Sequence, residues 1–172
     1  MSTDYDSLYR TGPDALGPPS AALLKVFARL APDAPLDILD LGCGQGRDAL
    51  PLARDGHRVT GIDSAPAGVA AMLEAARAEG LAVEGEVADI ATQRAMGPAD
   101  VVLCDRVLHM LESAVRAALL PRLLSAVRPG GWLIVADERP TLDVLEAIAR
   151  DRGWSVERPR RGPMVLRPGS PT

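Results

Sequence analysis

Between residues 40 and 46 the chain reads Asp40-Leu41-Gly42-Cys43-Gly44-Gln45-Gly46, a carboxylate followed by three alternate glycines. Glycine lets a backbone turn tightly and lets a ligand approach without a side chain in the way. Alone, the pattern is equally that of a plain turn between a strand and a helix. Its surroundings narrow the choice. Asp63 comes 23 residues after Asp40, at the place and spacing of an acid that accepts hydrogen bonds from both hydroxyls of a ribose. Asp89-Ile90 adds a polar group and an apolar neighbour, which can hold a purine by its edge and its face. A second polar group, Cys104, Asp105, Arg106 and His109, follows later, and Asp137-Glu138-Arg139 later still.

The stretch Gly44-Gln45-Gly46-Arg47-Asp48-Ala49 also fits the dinucleotide pattern G-x-G-x-x-G/A. That motif offers a helix N-terminus to a pyrophosphate. Asp48, in the first turn here, would repel phosphate, while it suits the helix dipole and tolerates a ligand ammonium. Other chemistries are excluded by composition. Lys25 is the single lysine and lies between Leu24 and Val26, so there is no P-loop lysine. The tyrosines are Tyr5 and Tyr9, so no Tyr-x-x-x-Lys dehydrogenase pair exists. Cys43, Cys104, His57 and His109 show no CxxC or HExxH spacing, and no metal site is expected.

The elements that must position these residues alternate. Ser20 can cap a helix whose Leu23, Val26, Phe27 and Leu30 recur at helical spacing until Pro32. Strands are expected at Leu36–Leu41, Arg58–Ile62, Leu81–Val87, Asp100–Cys104 and Trp132–Ala136. Helices are expected at Arg47–Arg54, at Pro66–Glu79 between a Ser64 cap and Gly80, from Ser113 to about Val127, and at Thr141–Arg152. Val101, Val102 and Leu103 in a row mark a strand buried on both faces. Trp154–Glu157 and Met164–Arg167 read as a terminal antiparallel hairpin, and Trp132 as a core residue. The pattern implies an α/β, Rossmann-like, doubly wound and mostly parallel seven-stranded sheet with a C-terminal antiparallel hairpin. Ligands of such sheets bind beyond the carboxyl ends of the strands. Residues 1–19, rich in Gly and Pro, read as an arm or lid without regular structure, and 20–172 as the domain proper.

The chain has 172 residues, a net charge of −4 and a pI near 5.2. That length suits one domain, and the acidity argues against nucleic acid as a partner. No apolar run approaches a membrane span and Met1–Arg10 is unlike a signal peptide. A cytoplasmic protein with free thiols and no membrane association is the expectation.

Taken together, the chain resembles the class I S-adenosylmethionine-dependent methyltransferases. The resemblance rests on Leu39–Gly46, Gly61-Ile62-Asp63-Ser64, Ala88-Asp89-Ile90, Asp100–Cys104 and Arg128-Pro129-Gly130-Gly131, in order over about residues 36–137. It implies S-adenosylmethionine as cofactor. Its methionine part would meet Asp40 and the turn of Gly42, Cys43, Gly44 and Gly46. Its ribose would meet Asp63 beside Ser64, and its adenine Asp89 and Ile90, with Cys104 and Arg106 also at the cofactor. A narrower resemblance links Tyr5-Asp6-x-x-Tyr9, Gly12-Pro13, Gly17-x-Pro19-Ser20 and Gly46-Arg47-Asp48 to the tellurite-resistance methyltransferases, which act on soft thiol or metalloid nucleophiles. The implied activity is methyl transfer to a small-molecule acceptor. The alternatives are a non-catalytic cofactor-binding regulatory module and an NAD(P)-binding protein.

Such a transfer needs alignment above all. His109 is the best-placed candidate base, with packing against the adenine side as its plainer role. His57 reads as structural, and Asp105 and Arg106 as a pair at the mouth. Tyr5 and Tyr9 would either close over the cofactor or, for Tyr9, pack on the first helix. Cys43 and Cys104 read as small apolar fillers, or else as thiols beside the transfer centre. Asp137-Glu138-Arg139 reads as a solvated loop.

Overall fold

The computed structural model describes residues 4–12, 15–30, 33–93 and 96–169. The chain divides into two compact units, Met1–Ile90 and Ala91–Thr172. The first holds α1 (Tyr5–Tyr9), α2 (Ala21–Leu30), β1 (Asp37–Leu41), α3 (Ala49–Arg54), β2 (Arg58–Asp63), α4 (Pro66–Glu79) and β3 (Val83–Val87). The second holds β4 (Ala99–Asp105), a 3-10 turn (Leu108–Met110), α5 (Ser113–Ser125), β5 (Val127–Ala136), α6 (Arg139–Asp151), β6 (Ser155–Glu157) and β7 (Met164–Arg167). The strands form a seven-stranded sheet in the order β3-β2-β1-β4-β5-β7-β6.

In the first unit all pairing is parallel. β1 meets β2 from Asp37 opposite Arg58 to Leu41 opposite Ile62, and β2 meets β3 from Val59 opposite Val83 to Asp63 opposite Val87. β3 is the edge strand, and its exposed Glu84 and Glu86 discourage further pairing. Leu23, Ile38, Leu41, Leu52 and Met72 are fully enclosed beneath the helices. α4 starts with Pro66 at its first positions and ends on Gly80 in the left-handed region.

In the second unit β4 and β5 are parallel, whereas β7 runs antiparallel to both β5 and β6, which is the expected terminal hairpin. Val101, Val102, Leu103 and Cys104 are all fully buried, as a strand covered on both faces requires. β5 begins earlier than Trp132. Its pairing jumps from Ala99 opposite Val127 to Val101 opposite Trp132, so Arg128–Gly131 is a bulge within the strand.

Several local expectations are corrected. Residues 5–9 are helical, with the Asp4 carboxylate accepting from Ser7 N at 3.1 Å and Asp6 paired with Arg10 one turn on. So short a helix is unstable alone, and its contacts with the glycine turn and α4, described below, hold it. Ser64 does not cap α4. Ala65 occupies that position, and its amide is taken by Asp63 Oδ1 at 2.8 Å while Ala67 N is taken by Asp6 Oδ1 at 2.7 Å. α5 starts at Ser113 as expected, with Glu112 in the cap position, but it ends at Ser125 because Val127 already belongs to β5. Trp132 is half-buried, and its ring packs under the Arg167 guanidinium 5.1 Å away. Pro13 and Pro32 lie outside the described residues. Among those described, no helix is long and apolar enough to cross a membrane.

His57 is structural, as expected. It is buried, its Nδ1 accepts Leu36 N at 3.2 Å, and its ring lies 6.0 Å from that of Phe27. Burial lowers its pKa from the ordinary 6.5, because a charged imidazole would be desolvated. The folded state thus keeps His57 neutral while the unfolded chain takes up a proton. Its contribution is full above about pH 6.5 and is lost as pH falls through the depressed folded value. Thermal unfolding compared at pH 7.5 and pH 5 should show a loss of stability that His57→Gln reduces; equal losses in the two proteins would contradict this assignment.

Candidate cofactor and active site

The turn after β1 is tied down by its backbone. Gly42 N and Cys43 N both donate to the Ile62 carbonyl, at 2.8 and 3.2 Å, and Gly46 N returns to the Cys43 carbonyl at 2.8 Å. Gly44 has φ +51°, and its amide donates to Asp63 Oδ2 at 2.8 Å. With Oδ1 on Ala65 N, each oxygen of Asp63 holds one backbone donor and keeps a further acceptor site. Asp40 lies buried near the end of β1. Asp89 is exposed and Ile90 buried, just beyond β3, and Ser64 is exposed.

Cys43 is buried, and its Sγ lies 3.7 Å from the Gly44 carbonyl. Burial first, then the charges of Asp40 and Asp63, push its thiol pKa far up. It is a protonated, unreactive filler. Gly46 is likewise buried, beside Met72 and Leu50.

The arm is seated on this turn. Tyr9 is buried, and a Cβ on Gly44 would collide with its hydroxyl; one on Gly68 would come within 2.8 Å of its ring. Neither glycine has room for a side chain while Tyr9 is in place. Tyr9 therefore packs on the glycine turn and the start of α4. Burial, followed by the Asp63 charge, pushes its phenol pKa well up. Gln45 Nε2 donates to the carbonyls of Tyr9 and Gly12 at 3.1 and 2.8 Å, and its Oε1 accepts Ala15 N at 3.1 Å. Asp48, buried before α3, accepts Ser20 N at 2.9 Å and pairs with Arg47 at 2.5 Å. A cavity of about 270 Å³ lies beneath the arm, lined by Tyr9, Leu16 and Pro19 and, from α3 and α4, by Leu50, Arg54 and Ala75.

Gln45 and Asp6 stand within motifs read from the sequence, which assigned neither of them a role of its own. The available signal was their chemistry: an amide between two glycines has both donor and acceptor to place, and a carboxylate near a free helix N-terminus has amides to accept.

In the second unit Cys104 is fully buried and Arg106 is the one described non-glycine residue with positive φ, at +56°. Its amide donates to the Ala136 carbonyl at 2.7 Å, which fixes the bend after β4. The Arg106 side chain is exposed, with Nε 3.7 Å from Asp105 Oδ1. His109 lies in the 3-10 turn that follows, with its Nδ1 3.1 Å from Asp137 Oδ1. Asp137 corrects the expectation of a solvated loop. Its side chain is wholly buried, and it accepts Leu108 N at 2.9 Å, His109 N at 3.3 Å and Glu138 N at 2.7 Å. The turns after two neighbouring parallel strands meet at this carboxylate, a partnership that pair order alone does not reveal.

Residues 38–131 match the model of the methyltransferase domain family. The chain belongs to that family, among the class I S-adenosylmethionine-dependent methyltransferases, whose cofactor is S-adenosylmethionine. A trans-aconitate 2-methyltransferase of Methylobacterium radiotolerans is 36% identical over 156 residues, covering 87% of this chain and 56% of that protein. A ubiquinone biosynthesis O-methyltransferase of Methylocella silvestris is 38% identical over 109 residues, 62% of this chain and 41% of that one. The chain thus spans about half the length of these curated relatives. Its fold is also that of a solved protein from work on the conversion of a disulfide bond into a thioacetal group during echinomycin biosynthesis, with a TM-score of 0.74 and 22% identity over 96% of this chain and 91% of that one.

Gln45→Ala removes three hydrogen bonds that seat the arm, each worth about 0.5–1.5 kcal/mol. Limited proteolysis within residues 10–17 should then speed up roughly tenfold, while the unfolding midpoint falls by only about 2–4 °C per kcal/mol lost. Cleavage at the wild-type rate would show that the arm is held elsewhere.

Proposed function

We propose that this protein transfers the methyl group of S-adenosylmethionine to a small-molecule acceptor. The observation that carries this reading is the Asp63 carboxylate, fixed by two backbone amides beside the glycine turn with acceptor sites to spare. Those sites suit a pair of ribose hydroxyls, and the pyrophosphate that a dinucleotide would place at the start of α3 would be repelled by the buried Asp48. The donor set therefore fits a cationic, ribose-bearing cofactor better than NAD(P). When bound, the cofactor supplies a methyl group on a sulfonium, a good leaving group.

In this reading Asp40 and the turn of Gly42, Cys43, Gly44 and Gly46 take the methionine end. Asp63, beside Ser64, holds the ribose, and Asp89 with Ile90 the adenine. Cys104 serves by filling and Arg106 by bending the chain after β4. Orientation of the reactants contributes about 7–11 kcal/mol to such reactions. The arm of residues 1–19 acts as a lid over the domain of residues 20–172, closed by Tyr9, Asp6 and the Gln45 bonds. The net charge of −4 disfavours nucleic acid as the acceptor. Relatives named for trans-aconitate and for ubiquinone biosynthesis support a small acceptor. Two free cysteines are the state a reducing cytoplasm maintains, which supports that location.

A thiol or metalloid acceptor, with a part in tellurite resistance, is the second reading. It is favoured by the fact that residues of the narrower resemblance, Tyr9 and Asp48, are those that seat the arm. A non-catalytic regulatory module would bind the cofactor and turn nothing over. Intact protein and protein lacking residues 1–19 should be incubated with methyl-labelled S-adenosylmethionine and thiols, selenite or tellurite, phenols, carboxylic acids and amines. Labelled small product from the intact protein, falling by tenfold or more without the arm while the core still melts cooperatively, is the expected outcome. Equal turnover without the arm would refute the lid, and label confined to protein or RNA would refute the small acceptor.

A further inference from the structure

We infer that the cavity beneath the arm is an effector site, which takes a small apolar molecule bearing one carboxylate and so clamps the arm onto α3 and α4. Its walls all belong to the first unit. α3 contributes Leu50 and Arg54, one turn apart, and α4 contributes Ala71 and Ala75, again one turn apart, so each helix turns one stripe toward the groove between them. The α4 side chains here are single methyl groups, and that leaves the groove open. Leu16 and Pro19 of the arm form its roof. Tyr9 stands over Gly68 near the start of α4, and the bonds from Arg54 to Glu79 join the two helices at their ends.

The walls define the occupant. An apolar protein cavity of about 150 Å³ holds a benzene molecule, so the groove, at about 270 Å³, takes a ring and a short acid chain. Leu16, a large apolar residue left 40% exposed, would be covered by such a guest. Arg54 sets the charge. It donates Nε and Nη2 to the two oxygens of Glu79, at 2.7 and 2.6 Å, and its Nη1 has no hydrogen-bond partner among the described residues. A half-exposed guanidinium with donors to spare, beside an apolar groove, suits a carboxylate. The acids next to the lining cations, Glu79 on Arg54 and Asp48 on Arg47, disfavour a second negative charge.

The residues assigned above to the ribose, the adenine and the end of β1, namely Asp63, Asp89, Ile90 and Asp40, do not line the groove, so its occupant is an effector and not a reactant. Its route to the glycine turn is the arm. Tyr9 and Gln45 are walls of the groove; Tyr9 also fills the space above Gly44, and Gln45 also holds the arm by three hydrogen bonds. An occupant touching both arm and helices has these contacts only while the arm is seated, and it favours that state to the extent that it binds it better. That a seated arm governs methyl transfer rests on the function proposed above.

The test titrates 3-phenylpropionate and its uncharged amide against the whole chain without S-adenosylmethionine, and follows tryptic cleavage after Arg10. The acid should bind at millimolar concentration or below. At about four times its Kd it should slow the cleavage about fivefold, the factor by which a ligand of the seated form alone depletes the open one. The amide should bind about tenfold more weakly, for want of a charge-assisted hydrogen bond. Ala75→Leu and Ala71→Leu each put a good helix former into the groove; both should melt near the wild-type temperature and lose the response to the acid. Arg54→Gln gives up an exposed ion pair of little worth to stability and should bind acid and amide alike. No binding of the acid overturns the inference. So does binding that leaves cleavage after Arg10 unchanged, that survives both leucine variants, or that the amide matches in the wild type. If the acid protects the arm and S-adenosylmethionine does not bind, the methyl-transfer reading falls and this site stands; if S-adenosylmethionine binds and the acid does not, this inference alone falls.

Discussion

The hydrogen bond from Gly44 N to Asp63 Oδ2 joins the turn after β1 to the end of β2, and the rest of the first unit is arranged around it. It holds Gly44 at φ +51° and aims the carboxylate. It also leaves above Gly44 a space that only a missing side chain can provide, and Tyr9 fills that space. The arm is thus bound to the glycine turn itself. Asp6 reaches the start of α4, and Gln45 reaches out of the turn to three backbone groups of the arm. A change in the turn should therefore be felt by the arm, and removal of the arm should be felt by the turn.

The second unit solves a different problem in the same way. A buried carboxylate, Asp137, gathers amides from two successive loops and fixes one imidazole. In both units an acid at or just beyond the end of a strand orders the following turn by accepting backbone N–H groups. Such bonds to a charged acceptor are stronger than neutral ones, about 1.5–3 kcal/mol each.

The strand–helix alternation, the buried run of Val101 to Cys104 and the final hairpin were legible because each rests on local periodicity or on turn chemistry. The glycine turn and Asp63 were legible because their spacing is set by the parallel pairing of β1 and β2. Residues whose partners are remote in sequence were not. The helix at Tyr5–Tyr9 is too short to announce itself, and it exists through bonds to residues 45 and 67. Asp137 sits among charged neighbours that look like solvated loop, and only the adjacency of β4 and β5 buries it. Ser64 looked like a helix cap, yet carboxylates on either side of it in space take the amides it would have served.

The central claim is that the first unit recognises a ribose-bearing sulfonium through Asp63, and calorimetric titration tests it most directly. S-adenosylmethionine and its demethylated product should both bind the wild type, NAD should not, and Asp63→Ala should weaken binding by about 1.5–3 kcal/mol, the worth of hydrogen bonds to a charged acceptor. Binding of NAD with no heat from S-adenosylmethionine, or an Asp63→Ala protein that binds as tightly as the wild type, would contradict the account.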